Sequence, residues 1–173
     1  MNVRLIGAAI VICLFPMAAF AQKTSVDYDK SIDFAKYTTY AWRDGRPAPN
    51  PLVDQRILDA VDRQLAAKGW TKTGAAPSAL VIYRAGVDVQ RELNGWSNGP
   101  RWSGMGRVTI DERKIGQVLI DIYDASTERL LWRGFASDTI SDSADKNEHR
   151  INDAMTKLFK QFPPNRDAGR GTK

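Results

Sequence analysis

The strongest constraint on the fold lies in residues 116–136. Val118, Ile120 and Ile122 alternate with Leu119, Asp121 and Tyr123. A polar stretch, Asp124-Ala125-Ser126-Thr127-Glu128, follows, and residues 129–136 return with Leu130 and Trp132 on one face. A period of two on either side of a turn predicts an antiparallel hairpin. Its apolar face must be covered by something else, because an isolated hairpin is marginal in water.

Two segments have the pattern of a cover. Asn50 offers an N-cap with Pro51 at the first helical position. Val53, Ile57, Leu58, Val61 and Leu65 then recur at three- and four-residue steps, and Lys68-Gly69 closes the segment. Near the end, Asp145 and Glu148 make a capping-box-like start. Ile151, Ala154, Met155, Leu158, Phe159 and Phe162 follow at helical spacing before Pro163-Pro164. Further strands are predicted over residues 24–29, 37–42 and 79–88, the last continuing towards Leu93. One-sided helices need a sheet face to bury their stripes. The predicted class is therefore α+β, an antiparallel or mixed sheet of about five strands with two helices packed on one face.

The chain has 173 residues. Arg4, an apolar run over residues 5–15 and Ala19-Phe20-Ala21 read as an export signal cleaved after Ala21, with Pro16 breaking a run too short to span a bilayer. The expected organisation is residues 1–21 as signal peptide, 22–163 as one α+β domain and 164–173 as a flexible tail, with a periplasmic or secreted destination. Cys13, the one cysteine, falls inside the signal and is preceded by Val11-Ile12 rather than a small residue, so lipidation is not expected. A mature chain without a thiol forms no disulfide and uses no thiolate. Losing Arg4 leaves 25 − 1 = 24 basic against 20 acidic residues. This small, dispersed excess does not resemble a nucleic-acid arm.

In order and spacing these pieces resemble the DUF4136 family of small exported bacterial proteins and lipoproteins. The residues that carry the resemblance are Val26-Asp27-Tyr28-Asp29, Asp33-Phe34, Thr39-Tyr40-Ala41-Trp42, Lys68-Gly69-Trp70 and Ala79-Leu80-Val81-Ile82-Tyr83. The longest match is Gly116-Gln117-Val118-Leu119-Ile120-Asp121-Ile122-Tyr123-Asp124, followed by Leu131-Trp132-Arg133-Gly134 and Phe162-Pro163. The resemblance implies an envelope protein and brings no catalytic residues with it. Many relatives carry a lipidated cysteine at the mature N-terminus, a feature this sequence lacks.

Residues 93–107 are the least ordinary part of the chain. Gly95, Gly99, Gly104 and Gly106 interleave with Trp96, Pro100 and Trp102, which disfavours regular structure and predicts a long loop or distorted hairpin tip. Exposed indoles stack on sugar rings or anchor interfaces, whereas folded-back indoles would lid the core. The Gly104-Met105-Gly106-Arg107 run lacks the Lys-Ser/Thr of a phosphate loop. His149 reads as a solvated helix residue. The carboxylates Asp138, Asp142, Asp145 and Glu148 lack the alternate-residue spacing of a calcium loop. Asp121 is expected to pair with Arg133 across the hairpin or to edge a pocket.

The leading expectation is a noncatalytic module that binds an envelope protein or polymer through Trp96, Arg101, Trp102, Arg107 and Asp121. It needs no metal or cofactor, no nucleic acid, and at most a peripheral place at a membrane. The alternative is an envelope hydrolase using Asp121 with Asp124, or Asp138 with Asp142, as general acid and base.

Overall fold

The computed structural model describes residues 22–96 and 107–163. Strand β1 (Lys23–Tyr28) leads through a 3-10 turn (Phe34–Lys36) to β2 (Thr39–Trp42), helix α1 (Pro51–Ala67) and the two-residue β3 (Thr71–Lys72). Strands β4 (Ala79–Trp96), β5 (Arg107–Asp124) and β6 (Leu130–Thr139) follow, and helix α2 (Ala144–Phe159) comes last. Together the strands form one six-stranded mixed sheet in the order β1-β6-β5-β4-β2-β3, parallel only where β2 meets β3 and β4. The sixth strand, relative to the sequence expectation, is β3, too short to carry a periodic signal.

Each helix begins at an identifiable cap. Asn50 Oδ1 accepts the Leu52 and Val53 N–H groups, as expected for α1. For α2 the cap is Ser143, whose Oγ accepts the Lys146 N–H, so the helix starts one residue before Asp145. Glu148 does not reach back to close a capping box; it pairs with Arg56 of α1 at 3.0 Å. The helices also meet through Arg63 with Asn152 at 2.7 Å and Gln64 with Thr156 at 3.1 Å.

Both apolar stripes face the same side of the sheet. Ile57, Val61 and Leu65 of α1 and Met155, Leu158 and Phe159 of α2 join Val81, Ile120, Ile122 and Trp132 in one buried cluster. At one end of that layer the aromatic rings close ranks. Phe162 sits 5.3 Å from Trp132, 5.2 Å from Trp70 and 5.7 Å from Phe34, all at steep angles, the edge-to-face geometry that aromatic quadrupoles favour. Gly134, two residues beyond Trp132 on the same face, is required by this packing. A Cβ there would lie 2.3 Å from the indole of Trp132.

The sequence expectation for residues 93–107 needs correction at both ends. Strand β4 continues to Trp96 and β5 begins at Arg107, so the hairpin is regular well beyond Asp88 and well before Gly116. Asp88/Gln90 and Val87/Val89 alternate in the manner of a strand, while the glycines near the tip mask the signal in any window that includes them.

Candidate interaction surface

The distinctive geometry of the molecule arises from unequal strand lengths. Strands β4 and β5 pair without interruption from Ala79↔Asp124 to Trp96↔Arg107. Support from neighbouring strands ends much earlier. On one side β2 pairs only as far as Val81, with a last isolated bridge from Arg46 to Arg84. On the other, β6 stops at Thr139 opposite Ile115, and Ile140 adds one bond to the Lys114 carbonyl. Among the described residues, the pairs from Val89↔Lys114 to Trp96↔Arg107 therefore form a two-stranded ribbon about 26 Å long at roughly 3.3 Å per residue.

Strand alternation continues the helix-facing side of the sheet onto this ribbon through Val87 and Val89. Among the described residues, no helix covers it here. Val87 is 50% exposed, Val89 46% and Ile110 59%. Between them Arg91 and Glu112, directly opposed in register, pair at 2.8 Å. The sequence reading missed this apolar row, although the Val-Asp-Val-Gln alternation of residues 87–90 encodes it.

Of the residues singled out in the sequence, Trp96 and Arg107 form the last described pair, at the far end of the ribbon. Arg101 and Trp102 lie outside the described residues. Asp121 is elsewhere. It lies fourteen positions beyond Arg107 along β5, roughly 46 Å of extended strand, so it does not share a surface with Trp96 and Arg107.

Asp121 lies on the sheet face opposite the helices and is wholly buried. Arg133, its cross-strand neighbour, donates to it through Nε at 2.6 Å and Nη2 at 2.9 Å, and Arg84, diagonal to it on β4, donates at 2.7 Å. The two arginine side chains are each 43% exposed and cover the wholly buried carboxylate. Burial alone would push the Asp121 carboxyl up, but hydrogen bonds and charge from Arg133 and Arg84 outweigh it and hold it below its ordinary value. Arg84 was not foreseen as a partner; in sequence it is one arginine among many.

Asp124 is likewise held low, chiefly by hydrogen bonds from Ser126 and Tyr37, with the Thr127 N–H adding to them. Strand alternation turns Asp121 and Asp124 to opposite faces. In both the ionised form is favoured, whereas two-carboxylate hydrolysis uses one proton-bearing acid. Asp138 accepts the Thr139 N–H and a hydrogen bond from Gln22. His149 is exposed on α2. Among the described residues no three His, Cys, Asp or Glu side chains cluster as metal ligands, and no helix is long and apolar enough to cross a membrane.

Comparison with known proteins gives a consistent fold. The family model described as "Domain of unknown function (DUF4136)" matches residues 24–164. No curated protein matches the chain in sequence. Among solved structures, a PDZ domain protein from Parabacteroides distasonis superposes with a TM-score of 0.55 at 20% identity, over 83% of this chain and 35% of that one. This chain thus spans about a third of that protein. A PelC chain from Paraburkholderia phytofirmans, described as a dodecamer, superposes with a TM-score of 0.50 at 10% identity, over 80% of this chain and 94% of that one.

Proposed function

Since the chain belongs to the DUF4136 family, whose description assigns no activity, we propose a function from its own geometry: a noncatalytic, exported binding module. It holds the Trp/Gly-rich segment of residues 97–106 at the end of a β-ribbon, for contact with an envelope protein or polymer. The observation that carries this reading is the length of unsupported pairing. Among the described residues, strands β4 and β5 run together from Val89↔Lys114 to Trp96↔Arg107 with no third strand beside them, and isolated two-stranded ribbons are marginal in water. Regular structure maintained that far from the core favours a role in placing what lies at its end. Trp96, Arg101, Trp102 and Arg107 are the proposed contact residues, since indoles and guanidiniums supply most anchoring energy at interfaces. Asp121 belongs to the body of the sheet and holds its strands in place. Export rests on the residue pattern of positions 1–21.

The test is fractionation of cells that express the full chain. Wild type is expected in the envelope fraction. Trp96→Ala/Trp102→Ala is expected to move to the soluble fraction while its circular dichroism spectrum and melting temperature stay unchanged. Retention of the double variant in the envelope, or a melting temperature far below wild type, overturns the reading; the second outcome would make those rings part of the core.

A further inference from the structure

Where the ribbon leaves the body, the described residues leave the layer between sheet and helices unfilled. A cavity of about 300 Å³ opens there, within reach of the smallest ligand pockets. Its origin is a row of short side chains. Ala85, Val118 and Ala136 lie side by side across β4, β5 and β6. The preceding row, Tyr83, Ile120 and Gly134 with Trp132 folded over it, is packed solid. Val53 of α1 and Ile151 and Ala154 of α2 form the opposite wall. Val87 and the 37% exposed Ile140 stand at the mouth. From there the apolar path continues outward to Val89, about 13 Å from Ala85 along the strand.

The geometry points to a hydrocarbon occupant: this cavity takes the acyl chain of a fatty acid or of a membrane lipid. The shape favours something thin and extended, and the polar accounting favours something without amides. The Asn147 amide is engaged at both ends with the Ser141 backbone, accepting at 2.7 Å and donating at 2.7 Å. Asp138 accepts from Thr139 and Gln22, Arg150 donates to the Thr139 carbonyl, and Asn50 caps α1. The backbone of β5 beneath the cavity is paired on both sides. A peptide placed here would bury N–H and C=O groups without partners. A methylene chain brings none to satisfy and covers Val118, Ile151 and Val87 instead.

The experiment is titration of the delipidated protein with cis-parinaric acid, followed by its fluorescence. Saturation near one equivalent and displacement by oleate are expected. Val118→Phe, which fills the cavity, is expected to weaken binding at least about tenfold while leaving the melting temperature equal or higher. Val87→Asp, at the half-exposed mouth, is expected to weaken binding without affecting the fold, and it decides the matter if Val118→Phe fails to fold. Sedimentation with phosphatidylethanolamine/phosphatidylglycerol vesicles separates the two sources. Wild type that pellets while Val118→Phe does not assigns a membrane lipid's chain. Saturable parinarate binding without pelleting assigns the free acid. Absence of saturable parinarate binding, or a folded Val118→Phe with unchanged affinity, overturns the inference.

Discussion

At the scale of single residues, Asp121 shows how a charge can sit inside a sheet when two arginines meet it. Its carboxylate is fully buried, but its two partners are 43% exposed, so they keep contact with water and the group avoids part of the desolvation cost of a buried ion pair. Loss of either arginine alone leaves the carboxylate one partner. Loss of both leaves it buried and uncompensated. The double variant Arg84→Ala/Arg133→Ala should therefore cost more than the sum of the single variants, by about 0.5–3 kcal/mol of coupling, read from urea unfolding midpoints. Strict additivity would mean that the two guanidiniums do not share one load. Asp121→Asn should cost about 1.5–3 kcal/mol, the value of charge-assisted hydrogen bonds, because the freed arginines can turn to water. Gly134 makes the complementary case in an apolar setting. The 2.3 Å approach of Trp132 leaves no room for a methyl group, and Gly134→Ala should lose about 1–3 kcal/mol through overpacking.

At the scale of elements, the separation between body and ribbon should be measurable in the backbone. In hydrogen exchange, amides of residues 118–123, with strands on both sides, are expected to protect nearly to the global unfolding limit, whereas those of residues 89–92 should exchange through local opening. Equal protection along the whole of β4 would show the ribbon to be covered, by another copy or by the body itself. The same division explains what the sequence made legible. Helix α1 was readable from Asn50 to Lys68 because its cap, proline and stripe coincide. The hairpin of residues 116–136 was readable because Ile120, Ile122 and Trp132 must all face the core. Strand β3 was hidden, since Thr71 and Lys72 are exposed and join the sheet only by backbone bonds to β2. The ribbon was hidden for a related reason. Without a core to face, its period of two is diluted by charged residues such as Arg91 and Glu112, and a pattern-based reading ends where burial ends. The pairing of Asp121 with Arg133 was readable from the hairpin; the second partner, Arg84, required the register of β4 against β5.

At the scale of the whole molecule, four titrating groups tied into the tertiary structure contribute at the two ends of the stability curve. Asp121 and Asp124 are held below the ordinary carboxylate value of 3.8. A depressed folded-state value contributes stability that is present above the unfolded value and is lost as pH falls through the folded one. These two carboxylates thus act only on the acid side, below about pH 4. The alkaline side belongs to tyrosines. Tyr37 is pushed up to about 12 by burial and by its hydrogen bond to Asp124. Tyr40, 2% exposed and bonded to Asp62 at 2.7 Å, is raised further, with burial the larger cause. A raised value works in the opposite sense. The stability is intact below the unfolded value of 10.0 and is lost as pH rises through the folded one, because the unfolded chain releases a proton that the native state retains. For the buried Tyr40 the loss approaches about 1.4 kcal/mol per pH unit above 10. Urea midpoints should therefore show no contribution from these four groups between about pH 5 and 9, and a fall on either side. Tyr40→Phe should lower the plateau, because the bond to Asp62 is gone, and flatten the alkaline limb, because one group no longer titrates. An alkaline limb of unchanged slope in Tyr40→Phe would place the alkaline sensitivity elsewhere and show that the Tyr40 hydroxyl ionises as readily in the folded protein as in the unfolded chain.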